Sequence, residues 1–289
     1  MDFNEAYTKN LLPQRPEDSH KGTFGHVLNI AGSGFYSGAA YFSSVAPLKV
    51  GAGRVTLASV ETVIRTVAAL SPDIILLPLD ETKEKTISEK AIKTIQAKIA
   101  EYNAISIGCG LSMDKNTMSF FEQLIKTLEN SITPVVIDAD GLNILSKSRL
   151  QLPRNTILTP HPLELSRLLD VSVETILVQP ELWVQKCCEK YNCTIILKIH
   201  KTIIADNKGR VYVNNTGNTA LSKGGSGDIL CGMIAGFLAQ GLSTFDASIL
   251  GVYLHGKTGE IASTELTEYS VLASDLLNYI HLAIQEIID

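Results

Sequence analysis

His26-Val27-Leu28-Asn29-Ile30-Ala31, followed by Gly32-Ser33-Gly34-Phe35-Tyr36-Ser37-Gly38, reads as a β-branched strand, a glycine-rich turn and the start of a helical pattern. The unit recurs. Residues 54–58, 73–77, 104–108, 134–138 and 156–159 are further short apolar runs, with helical spacing between them over 88–102 and 115–129. Runs that are apolar on both faces suit strands covered by helices on each side. Their alternation with helices predicts an α/β fold with a mostly parallel central sheet. After Cys193 the pattern tightens: residues 194–198, 201–205 and 210–213 are strand-like, with Asn207-Lys208-Gly209 as a turn. This predicts an antiparallel segment at the sheet edge. Helices are expected over 227–240, 244–263 and 273–288, and no repeat or linker interrupts the chain, so residues 1–289 are read as one domain.

Composition narrows the function classes. The 289 residues are 45% hydrophobic and 19% charged, with a formal net charge of −5. A nucleic-acid binder would need a basic patch, and there is no dense Lys/Arg run. No stretch of 18 apolar residues offers a membrane span. The start, Met1-Asp2-Phe3-Asn4-Glu5, lacks the basic and apolar regions of a signal peptide. Cys109, Cys187, Cys188, Cys193 and Cys231 form no C-x-x-C pair and are expected to be reduced core thiols, in keeping with a cytoplasmic protein.

Three stretches could cradle a phosphate. The turn at 32–38 has three residues between its second and third glycines where a dinucleotide fingerprint has two. No Asp or Glu occurs from Phe35 to Val60 to hold a ribose. It is read as a strand-to-helix turn that can still line a pocket. Gly251-Val252-Tyr253-Leu254-His255-Gly256-Lys257-Thr258 matches the P-loop expression, but lies inside a helical pattern and is read as a core helix with glycine at a close-packing position. Lys223-Gly224-Gly225-Ser226-Gly227-Asp228 stands directly before Ile229, Leu230, Met233, Ile234, Phe237 and Leu238, which recur at helical spacing. Its glycines therefore open a helix, where free N–H groups and the dipole attract an anion. Asp228 is either a base acting on a substrate hydroxyl or a structural first-turn acid.

Two further segments end strands. Thr159-Pro160-His161-Pro162-Leu163-Glu164 places Pro162 at a helix start and His161 at the carboxyl end of the sheet. Asp138-Ala139-Asp140-Gly141-Leu142-Asn143 offers two carboxylates that could hold Mg2+ through water, or an Asp140 that caps the next helix.

Taken in order, these segments resemble the ATP- or ADP-dependent NAD(P)H-hydrate dehydratases of the ribokinase-like superfamily. The resemblance runs from Ser19-His20-Lys21-Gly22 and Gly38-Ala39-Ala40, through residues 138–143 and 158–164, to Lys223–Asp228, Tyr253-Leu254-His255-Gly256 and Ala273-Ser274-Asp275-Leu276. It implies a three-layer αβα sandwich and repair of the S-epimer of NAD(P)HX. The nucleotide phosphorylates the ring hydroxyl, and loss of phosphate restores NAD(P)H. It implies Asp228 as base, Gly225, Ser226 and Gly227 as anion hole, and Ala40, Gly110 and His161 against the hydrated dinucleotide. Lys198, Ile199, His200, Lys201, Thr202 and Gly227 would contact ADP or ATP. It further implies Mg2+, a homotetramer and a separate NAD(P)HX epimerase. Two departures stand out: Cys109 where the family has Pro, and Ile199 where it has Gly after the lysine. The alternative within the superfamily is a kinase for a vitamin-precursor alcohol, which would stop at the phosphate ester. A non-catalytic nucleotide-binding protein is a third reading.

Overall fold

The computed structural model describes residues 5–288; the start of the chain, read above for a leader, lies largely outside them. Nine strands form one sheet: β1 (His26–Ile30), β2 (Arg54–Ser59), β3 (Ile75–Pro78), β4 (Ala104–Ile107), β5 (Val135–Ile137), β6 (Thr156–Leu158), β7 (Thr194–Leu197), β8 (Ile203–Ala205) and β9 (Val211–Val213). Their order is β3-β2-β1-β4-β5-β6-β7-β8-β9. Pairing is parallel from β3 to β7 and antiparallel from β7 to β9. The parallel body and antiparallel edge are as expected from the sequence.

Among the described residues, twelve α-helices flank the sheet: α1 (Glu5–Lys9), α2 (Ser37–Lys49), α3 (Glu61–Leu70), α4 (Ile92–Gln96), α5 (Lys115–Leu128), α6 (Asp140–Leu145), α7 (Pro162–Leu169), α8 (Val173–Val178), α9 (Pro180–Tyr191), α10 (Ser226–Ala239), α11 (Thr244–Ser270) and α12 (Ala273–Ile288). Helices α2, α3, α10, α11 and α12 pack together in one layer, and α4 to α9 form the other. Strands β1, β4, β5 and β6 are buried throughout, with Phe120, Phe121, Phe237 and Phe245 among the largest fully enclosed side chains. Each such side chain contributes about 1.5–3 kcal/mol relative to exposure. Among the described residues, no helix is long and apolar enough to cross a membrane, and all five cysteines are free and buried.

Three expectations are corrected. Residues 88–102 do not form one helix: a 3-10 turn (Glu89–Ala91), α4 and a second 3-10 turn (Ile99–Glu101) replace it. Burial of Ile92 and Ile95 accounts for the helical spacing, but five residues are too few to hold a helix without such packing. Strand β3 is not covered on both faces, because it is the sheet edge; Ile75 is 46% exposed. Helix α11 runs on to Ser270 across a kink at Thr267, where φ is 61°. The P-loop look-alike lies inside α11, as expected. A side-chain carbon on Gly251 would meet Ile234 Cγ1 at 2.7 Å, and one on Gly256 would meet Thr216 Oγ1 at 2.1 Å.

A buried polar knot sets α2 against the sheet. Asn29 Nδ2 donates to Ser43 Oγ and Ser44 Oγ, and Asn29 Oδ1 accepts from Ser106 Oγ, each at 2.8 Å. Satisfied polar groups in a core fix register, since any slip leaves them unpaired. Between β1 and β4 the connections diverge to opposite sides of the sheet. The crevice outside such a switch point is where open α/β sheets bind ligands.

Candidate active site

The loop ahead of α10 is shaped by Gly225, which takes φ 94° as the N-cap residue. That conformation favours glycine. A side-chain carbon there would also collide with Ala273 and Phe42 at 2.8 Å. The Ser226 amide donates to the Lys223 carbonyl at 3.3 Å, and the cap contributes no side-chain hydrogen bond to the first turn of the helix. Asp228 does not cap; it faces the crevice. Burial pushes its carboxyl up to about 6, and the Asp138 carboxylate adds to the rise. Ser226 Oγ shares a 3.1 Å hydrogen bond with His255 Nε2, whose buried ring is held down to about 4 and so stays neutral near pH 7.

Two cavities meet at Asp228. The first, about 600 Å³, runs from the ends of β5 to β7 to the Gly217–Asp228 loop, and is lined by His161, Glu164, Lys198, Ile199, His200, Thr202 and Val252, among others. The second, about 590 Å³, lies under the turn after β1 and is lined by Phe35, Tyr36, Ala39, Gly110, Ser112, Met113 and Asp140. Ala139 and Asp228 line both. Volumes of this size suit small-molecule ligands.

A charged cluster sits on the floor of the first cavity. Lys198 Nζ donates to Asp138 Oδ1 at 2.6 Å and stands 4.0 Å from Glu164 Oε2. Burial alone would lower the Lys198 pKa, but the two carboxylates overcome it and hold the ammonium above its usual range. Burial pushes Glu164 up to about 7 against the pull of Lys198. Gly227 faces this cluster: a carbon added there would lie 3.6 Å from Lys198 Nζ and 3.9 Å from Asp138 Oδ2. Oxygen donors with room for water suit a hard divalent cation, and Asp138 and Glu164 supply them on this side.

The residues singled out in the sequence fall as follows. Gly225, Ser226, Gly227 and Asp228 line the first cavity with Lys198, Ile199, His200, Thr202 and His161. Lys201 is exposed and is not part of that lining. His161 therefore stands beside the Lys198 segment, apart from Gly110, which lines the second cavity. It also N-caps α7: its Nδ1 accepts from the Leu163 and Glu164 amides, and Glu164 Oε2 accepts from the His161 amide at 2.8 Å. Pro162 is in the first turn, as expected. Burial, then Lys198, lowers the His161 pKa. Ala40 is fully buried and lines neither cavity. Asp140 is no cap; its Oδ2 accepts from the Ser112 amide at 2.8 Å, tying α6 to the loop after β4.

Sequence reasoning missed Glu164, His255 and the Phe35–Tyr36 rim as site residues. Glu164 and His255 sat in quoted motifs, but their contributions come from partners far along the chain. The rim had a signal: two adjacent aromatics in a strand-to-helix turn, 79% and 55% exposed in the structure.

Residues 27–282 match the model of the family described as NAD(P)H-hydrate dehydratase. The chain is 35% identical over 274 residues to the ADP-dependent (S)-NAD(P)H-hydrate dehydratase of Neisseria meningitidis serogroup B, covering 93% of this chain and 86% of that one. It is 35% identical over 278 residues to the bifunctional NAD(P)H-hydrate repair enzyme of Moorella thermoacetica; 95% of this chain matches about half (52%) of that relative's length. The crystal structure of the ADP/ATP-dependent NAD(P)H-hydrate dehydratase of Bacillus subtilis, co-crystallised with ATP/Mg2+, superimposes with a TM-score of 0.84 at 28% identity, covering 99% and 98% of the two chains. The chain belongs to the NAD(P)H-hydrate dehydratase family.

Proposed function

We propose that this protein is a hydro-lyase that repairs hydrated nicotinamide cofactors at the expense of an adenine nucleotide. The terminal phosphoryl group of ADP or ATP passes to the ring hydroxyl of the S-epimer of NAD(P)HX. The phosphate ester is then eliminated, leaving NAD(P)H, the shortened nucleotide and inorganic phosphate. The observation that carries the reading is the meeting of two ligand-sized cavities at one buried carboxylate. Phosphoryl transfer needs two ligands held end to end and little else beyond charge stabilisation.

In this reading the nucleotide lies in the first cavity along Lys198, Ile199, His200 and Thr202, with Lys201 at its outer edge. The hydrate enters the second, over Gly110 and under the Phe35–Tyr36 rim. Ala40 supports that wall from behind: a carbon added to Gly32 would meet its Cβ at 2.9 Å. Asp228 takes the hydroxyl proton, which its ionised form can do near neutral pH. The amides of Gly225, Ser226 and Gly227 receive the charge of the transferring group at the start of α10. Lys198 offsets the carboxylates beneath it. His161 holds the α7 start, and with it Glu164, against the same cavity. Asp138 and Glu164 would hold Mg2+ through water, and that ion supplies charge neutralisation to the phosphates when bound. The reading also carries a homotetrameric assembly, a cytoplasmic setting and a separate epimerase that feeds the S-epimer.

The test is direct. Purified protein is incubated with NADHX and Mg2+, with ADP or ATP in separate reactions, while the near-ultraviolet absorbance of NADH is followed. Nucleotide-dependent recovery is expected. Folded protein that gives no recovery with either donor, but phosphorylates a small alcohol, would replace this reading by a superfamily kinase.

A further inference from the structure

Behind the Asp228 carboxylate lies a pair of thiols that the reaction does not use. Cys109 sits in the turn after β4, at the position where a proline was expected from the family resemblance. Cys231 lies three residues beyond Asp228 on α10. They are 1% and 0% exposed and both are free. Cys109 Sγ, Cys231 Sγ and a carboxylate oxygen of Asp138 all lie within 4.8 Å of one another. Asp228 stands one helical turn before Cys231 on α10. Both hydrogen bonds described for Asp138 go to Oδ1, from Lys198 Nζ and the Ala139 amide, so Oδ2 has lone pairs to offer.

Two buried cysteines in contact are ordinary core packing in most proteins. Here the Asp138 carboxylate shares the contact, and Asp138 also lines the first cavity, which gives an ion a way in. Three ligand groups converge from three segments: Cys109 from the turn after β4, Asp138 from the end of β5 and Cys231 from the first turns of α10. A tetrahedral Zn2+ takes thiolates at about 2.3 Å and carboxylates at about 2.0–2.2 Å. The cluster needs to contract by only about 1 Å to match that geometry. Sulfur ligands favour Zn2+ or Cd2+ over Mg2+, which prefers oxygen alone.

We propose that Cys109, Cys231 and Asp138 form a site for one thiophilic divalent cation, Zn2+ or Cd2+, with water completing the tetrahedron, and that filling it blocks the active site. Binding releases two thiol protons to solvent. The resulting two thiolates and the Asp138 carboxylate face the dication and the Lys198 ammonium, so the charges balance. A filled site sets a dication one helical turn from Asp228 and weakens its carboxylate as a base. The block of turnover rests on the base role proposed above, whereas the binding does not.

The experiment uses reduced, chelator-stripped full-length protein. Cd2+ is added stepwise while the ultraviolet thiolate-to-cadmium charge-transfer band is recorded, and Zn2+ affinity is measured by competition with a chromophoric chelator. One equivalent should raise the band to a plateau. Cys231→Ala should lose it and bind Zn2+ about 100-fold more weakly, since removing an outer-shell partner alone costs 10–100-fold. Equimolar Zn2+ should stop turnover of the wild type in the presence of Mg2+ and leave that of Cys231→Ala unchanged. Should Cys231→Ala fail to fold, as judged by circular dichroism, Cys109→Ala is the equivalent test. The proposal is overturned if the wild type shows no band. It is also overturned if the band survives in the variant and disappears in Cys193→Ala, which would place the ion among Cys187, Cys188 and Cys193. A wild type without repair activity would sink the proposed function, and the cadmium band would still decide the metal site.

Discussion

Two glycine-rich turns open helices in this molecule, at 32–38 before α2 and at 223–228 before α10. By sequence they look alike; in space they face opposite things. Gly32, at φ 84°, is hemmed in by protein: an added carbon would meet Ala40 and Val63 at 2.9 Å, and one on Gly34 would meet Lys85 at 2.6 Å. Gly224 has nothing within 4 Å, and Gly227 has only Lys198 and Asp138 beyond 3.5 Å. At Gly32 and Gly34 the first turn uses glycine to bring protein against protein. The second does so at Gly225, but at Gly224 and Gly227 it leaves room beside a charge. A glycine motif therefore says that the backbone comes close to something, and only the structure says what.

The comparison can be broken at several points. The largest effect is expected at Asp228→Asn. Turnover should fall about 100-fold or more, read by initial rates. Stability at pH 7–8 should rise, because a carboxyl whose folded pKa is raised disfavours the folded state once it ionises. A Tm gain of roughly 2–4 °C is expected for about 1 kcal/mol in a chain of this length. Near-normal turnover would remove Asp228 from the chemistry and reduce the second turn to a cap.

Next in size is the pH profile. With Asp228 raised to about 6, the base is lost as pH falls through that value, so kcat/KM should drop about tenfold per pH unit below about 6. A midpoint near 7 would instead make Glu164 the governing group. The glycines themselves sharpen the contrast. Gly32→Ala should cost about 1–3 kcal/mol of stability, from positive φ and collision, with both KM values unchanged in the folded fraction. Gly227→Ala should leave Tm unchanged and raise the nucleotide KM about tenfold, since its methyl enters the space a phosphate would use. The reverse pattern would mean that the two turns have been assigned the wrong way round. The smallest effect is expected at Ile199→Gly, where restoring the residue usual in the family should lower the nucleotide KM by about two- to fivefold. No change would show that Ile199 lies clear of the nucleotide.

Much of the fold was legible because strand burial is written in continuous apolar runs: all nine strands lie within or beside the segments read from the sequence. The site was legible only where one segment carries its own meaning. The Lys223–Asp228 turn does, because a helix start is local. The Lys198–Asp138–Glu164 cluster does not, because three parallel strands bring it together from residues that mean little singly. The same holds for His161. Its place at the end of a strand could be read, but not its neighbours, which set it with Lys198 rather than with Gly110. Residues 88–102 misled for a related reason: two buried isoleucines repeat with helical period through a segment that keeps only one short helix.

The shared wall of Ala139 and Asp228 has a thermodynamic consequence. A ligand in one cavity changes the electrostatic environment of the carboxylate that the other ligand touches. Whatever factor the nucleotide imposes on the affinity for the second ligand, the second ligand must impose on the nucleotide. Measured in any order, the two binding steps close one cycle, and its single coupling free energy belongs to the wall rather than to either cavity.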